Sequence, residues 1–235
     1  MTTVNKGQTV QNVTVSGYQE IISSGGTGKY QTVTGNGQIV IRNGGLLVQT
    51  NGSSNWIVNN GSVVVESGGT VSGGFIGANG RYVVSSGGVI SGADVGAGGS
   101  LKGASGAILS GQTNVASGGS VSGGTVASSG TLVVSKGATS LNTTVASGGT
   151  INAAGTVTSS IVQSGGTLGV SSGGKIVTST VNAGGVLSAA SGSTISGIVT
   201  LVDGATATIP STAGGTVDLS GTNANLVITG TGSPT

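Results

Sequence analysis

The chain has 235 residues, of which only 5% are charged and 50 are glycine, with no Cys and no His. Disulfides, thiolate or imidazole metal sites and a histidine general base are therefore excluded. A net charge of +2 from seven scattered basic residues argues against a nucleic-acid surface, and two Pro with no three-residue glycine period exclude collagen.

In chain order, the opening Met1-Thr2-Thr3-Val4-Asn5-Lys6-Gly7 holds no apolar signal-peptide core, and no later run approaches a membrane span. A segment cut from a longer protein is expected. Residues 1–60 read as divergent N-terminal rungs of a repeat, with short units such as Gln19-Glu20-Ile21-Ile22-Ser23-Ser24-Gly25-Gly26 and Gln38-Ile39-Val40-Ile41-Arg42-Asn43-Gly44-Gly45. Asn-Gly steps at Asn43, Asn51, Asn60 and Asn79 mark tight turns, because both residue types tolerate positive φ.

Residues 61–200 carry the regular rungs. A short unit, Gly80-Arg81-Tyr82-Val83-Val84-Ser85-Ser86-Gly87-Gly88, alternates with a longer one, Val89-Ile90-Ser91-Gly92-Ala93-Asp94-Val95-Gly96-Ala97-Gly98-Gly99. Corresponding glycines recur every 18 or 19 residues, as from Gly69 to Gly88 and from Gly88 to Gly106. A fixed period near this length signals a solenoid. Aligned on their turns, the short units give two apolar columns, Ile39, Val63, Tyr82, Leu132, Leu168, Leu187 and, two residues on, Ile41, Val65, Val84, Val134, Val170, Ala189. Spacing of two puts both on one face of a strand. Between Gly106 and Gly130 two long units follow each other, which predicts a bulge or altered corner. Residues 201–235 read as irregular rungs or a cap.

The pattern predicts an all-β chain, a right-handed parallel β-helix with about 18–19 residues per rung. Roughly 12 rungs stacked about 4.8 Å apart give a rod of roughly 55–60 Å. Helix is disfavoured because glycine costs about 1 kcal/mol at each interior position.

Polysaccharide-cleaving β-helices need clustered carboxylates. Glu20, Glu66, Asp94, Asp203 and Asp218 are widely separated and are expected to be solvated. The glycine strings lack the Lys-Ser/Thr ending of a phosphate loop. No catalytic residue, cofactor site or metal site is assigned.

The repeats, Gly80 to Gly88 followed by Val89 to Gly99, resemble the AIDA-type repeat of autotransporter adhesins and the passengers of self-associating autotransporters. That resemblance implies a right-handed β-helix on the bacterial exterior that promotes cell–cell aggregation, adhesion or biofilm formation without enzymatic activity. It implies heptose on turn serines, for which Ser85, Ser86, Ser117, Ser147 and Ser172 are the matching positions. It also implies homotypic rod–rod contacts or contacts with a host or matrix surface, possible glycan partners, an extracellular or cell-surface location, no nucleic acid and no membrane insertion by this segment. The sequence departs from the family in showing neither leader nor membrane β-barrel. The β-branched column Val40, Val64, Val83 and Val133, between the inward columns, is the expected self-association ridge. A carbohydrate-binding or polysaccharide-degrading β-helix, or a passive stalk presenting another domain, are the alternatives.

Overall fold

The computed structural model describes residues 1–49 and 57–230, so Asn51-Gly52 and Trp56 lie outside the described residues. The chain is a parallel β-solenoid of about 12 stacked turns, consistent with right-handed winding. Each turn contributes strands to three faces. The first face is an 11-stranded sheet running from Thr2–Val4 to Thr194–Ile195. Among the described residues the remaining 22 strands fold along the other two faces. The second face runs from Thr9–Gln11 to Thr216–Ser220, and the third from Thr14–Ser16 to Asn225–Thr229. Val89–Val95 and Ile108–Val115 cross both without a break.

Among the described residues every strand pairing is parallel and, but for one shift, in register, which turns the two-residue alternation into continuous inward columns. On the first face, Ile39, Val63, Tyr82, Leu101 and Val121 stack with 0–1% exposure. Leu47, Val71 and Ile90, with Leu109 at 2%, stack likewise on the second face, and Leu132, Ile151, Leu168 and Leu187 on the third. Fully burying one such side chain contributes about 1.5–3 kcal/mol, so stability accrues by stacking rather than within a turn.

The irregularity predicted between Gly106 and Gly130 changes how the repeat maps onto the cross-section. In the early turns the short unit occupies the first face, and the long unit spans the second and third through a tight corner at Gly92 (φ 76°) or Gly111 (φ 64°). The extra residue in Ile108–Val115 shifts the register against Val89–Val95 between Ser91 and Ala93, a β-bulge. One turn later the long unit lies on the first and second faces, cornering at Gly123 (φ 73°) and Gly124 (φ 80°), and the short unit Thr131–Val134 moves to the third face. The column read from sequence is thus split. Ile39, Val63 and Tyr82 are on the first face, whereas Leu132, Leu168 and Leu187 are on the third.

Candidate functional site

The first face presents one nearly apolar outward column in its N-terminal half: Thr3, Ile21, Val40, Val64, Val83, then Lys102. Val64 and Val83 are half-buried, while their sequence neighbours Val63, Val65, Tyr82 and Val84 are buried. Val40 is only 8% exposed and Ile21 3%, yet neither belongs to the core cluster. Val133 does not join this ridge. It stands on the third face between Asn114 and Asn152, because the phase change has carried its unit around the rod. Lys102, Ser122 and Leu141 continue the first-face column instead. An ion pair of 3.9 Å joins exposed Arg42 and Glu66 at the end of the same face, a contact worth little in water.

The turn serines lie on three different edges of the rod. Ser86, Ser117, Ser147 and Ser172 are exposed and Ser85 is half-buried. Ser86 is on the edge between the first and second faces, Ser117 and Ser172 between the third and first, and Ser147 between the second and third. Each edge is laced by backbone bonds in which a turn glycine donates to the glycine one turn on, such as Gly68 N to Gly87 O (3.0 Å) and Gly87 N to Gly106 O (2.9 Å). A Cβ at Gly106, Gly165 or Gly192 would stand 2.5–2.6 Å from the Oγ of Ser86, Ser147 or Ser172. These left-handed glycines therefore leave space over the hydroxyl below. Ser24, Asn43, Ser67 and Ser105 complete the column of Ser86, a set that sequence reasoning passed over although its signal, Ser-Gly or Asn-Gly at one-turn spacing, was present.

Of the acids, Glu20 departs from the expected solvated position. It is 1% exposed and pairs in register with Ile39 of the inward column. Gln31 Nε2 donates to Glu20 Oε1 at 2.5 Å, Gln31 N donates to Gln49 Oε1 at 2.9 Å, and Gln49 Nε2 donates to Gln31 O at 2.6 Å. A polar chain thus replaces hydrocarbon inside the early turns. Burial raises the Glu20 pKa above its ordinary 4.5, and the Gln31 bond opposes this only in part. Gln31 Oε1, on the same amide, is buried with no partner among the described residues.

A carboxyl whose folded pKa is raised contributes stability that is fully present below pH 4.5 and lost as pH rises through the folded value. Glu20→Gln is expected to remove that part of the slope. Thermal melting at stepped pH measures it, as the difference between wild type and variant growing above pH 4.5. Three turns beyond Glu20, the Tyr82 hydroxyl is buried against Gly74 without a partner among the described residues, and burial pushes its phenol up.

Where the repeat changes phase, the broad turn Ala104–Ala107 overhangs the narrow corner Ser122–Thr125. The step leaves a cavity of about 310 Å³ lined by Ser105, Ser122, Thr125, Asn142, Thr144 and backbone glycines. Among the described residues no group of three or more His, Cys, Asp or Glu could hold a metal ion, and no helix is long and apolar enough to cross a membrane.

No family model and no curated protein matches the chain. Among solved structures, the crystal structure of the TibC-catalyzed hyper-glycosylated TibA55-350 fragment is similar. It is 27% identical, over 99% of this chain and 92% of that one, with a TM-score of 0.47.

Proposed function

We propose that this solenoid is an adhesive rod of the bacterial exterior, without a catalytic site, whose outward first-face column pairs with the same column of a second rod. The observation that carries the proposal is the in-register run Ile21, Val40, Val64, Val83. Four successive turns place a β-branched aliphatic side chain at an outward position where the rod's own core does not need it. Exposed β-branched residues are also favoured simply by strand geometry. Val64 and Val83 are the accessible part of this line, Ile21 and Val40 being already nearly covered, and such an apolar strip is what a partner rod can cover. The AIDA-type repeat pattern supports the same reading, as does the spread of turn hydroxyls over three edges, where sugars on Ser86, Ser117, Ser147 or Ser172 would leave the first-face ridge open.

The test is a double substitution, Val64→Asp with Val83→Asp, in the rod displayed on bacteria. Both side chains are half-buried and outward, so surface display and far-ultraviolet circular dichroism are expected to stay at wild-type level. Settling of the cell suspension is expected to slow, since like charges stacked on one another and on a partner repel. Unchanged aggregation at normal display levels would remove the ridge from the mechanism.

A further inference from the structure

A second outward feature lies on the edge between the third and first faces, away from the core and beyond rod pairing. Three consecutive turns place Asn36, Asn60 and Asn79 at left-handed φ values of 62°, 50° and 55°. Later turns of this edge use Gly98, Gly118 and Gly137 at that position, so the backbone alone does not call for Asn. Asn79 Nδ2 donates to Asn60 Oδ1 at 3.0 Å, making an exposed amide ladder. The side-chain amide hydrogens of Asn60 and Asn36 have no protein partner among the described residues.

A second polar ladder runs parallel to it on the first face: Gln19, Gln38, Ser62, Arg81. Gln19 Nε2 donates to Gln38 Oε1 at 2.6 Å, and Gln38 Nε2 to Ser62 Oγ at 3.3 Å. Gly37 and Gly61 separate the ladders, and a trench of about 280 Å³ lies there, lined by Asn36, Asn60, Ser62, Asn79 and Arg81. Arg81 is exposed and forms no ion pair among the described residues, whereas Arg42 is matched by Glu66.

We propose that this trench binds an acidic glycan, with the carboxylate of one uronic-type sugar on the Arg81 guanidinium and neighbouring hydroxyls on the Asn60 and Asn79 amides. Arg presents a planar fork that matches a carboxylate with two parallel bonds. Primary amides offer both donor and acceptor, as sugar hydroxyls require. The turn-to-turn spacing of about 4.8 Å is close to the length of one pyranose unit, so an extended oligosaccharide lying along the rod meets one amide per sugar.

Isothermal titration of the purified chain with trigalacturonate, and with its fully methyl-esterified form, tests this. Trigalacturonate is expected to bind, and the ester to bind about tenfold more weakly or less, as fits the loss of one charge-assisted contact. Arg81→Gln is expected to weaken trigalacturonate by a similar factor and to leave the ester unchanged. Asn60→Gly with Asn79→Gly keeps the left-handed backbone while deleting the amides, and is expected to weaken both ligands at an unaltered melting curve. No binding of trigalacturonate, equal affinity for acid and ester, or full affinity in Arg81→Gln would each overturn the assignment.

Discussion

Val84→Asp is expected to unfold the middle turns of the rod, with a loss of more than about 4 kcal/mol. Val84 is 1% exposed and stacks between Val65 and Gly103 in an inward column, with no cation described near it. A carboxylate there loses its hydration and gains no partner. The neighbouring change, Val83→Asp, places the same charge on the half-buried outward side and is expected to cost no more than about 0.5 kcal/mol. Urea titration of the two variants followed by circular dichroism separates them. A destabilised Val83→Asp with an unaffected Val84→Asp would mean that inside and outside are exchanged.

The second large effect is expected at the phase change. The inward column Ile22, Ile41, Val65, Val84 ends at Gly103, the same register position one turn on. A Cβ at Gly103 would lie 2.9 Å from both Cα and N of Gly124 and 3.2 Å from the Ala107 Cβ. The first two are backbone atoms of the narrow corner and cannot turn aside. Gly103→Val is therefore expected to destabilise by about 1–3 kcal/mol, although valine is the resident side chain one and two turns earlier. Ser100→Val, outward and half-buried on the same strand, is the control and is expected to change stability by less than about 0.5 kcal/mol. Equal tolerance of both substitutions would show that the corner has room that the geometry denies it.

These two sites also mark how far the sequence could be read. The alternation that buries Val63 and Val65 and turns Val64 outward was legible, because a period of two leaves each strand only one way to face a core. The face on which a unit sits was not legible. All three faces ask for the same short alternating pattern closed by a glycine turn, so a unit fits any of them. The register around the rod is set instead by the added residue in Ile108–Val115 and the Gly123-Gly124 corner. Val133 was misplaced for that reason. Glu20 was misread because its partners Gln31 and Gln49 look like surface residues until the corner folds them inward. Of the Asn36–Asn60–Asn79 ladder only Asn60 and Asn79 were read, as turn signals, since stacking across turns is what makes it a surface.

Small-angle X-ray scattering of the purified chain over a concentration series tests side-by-side pairing most directly. A dilute sample is expected to give a rod of roughly 55–60 Å. With rising concentration the cross-sectional radius should grow while the length stays fixed, and Val64→Asp with Val83→Asp should hold the dilute profile throughout. Growth in length at constant cross-section, or identical growth in the double variant, would contradict pairing through the first-face column.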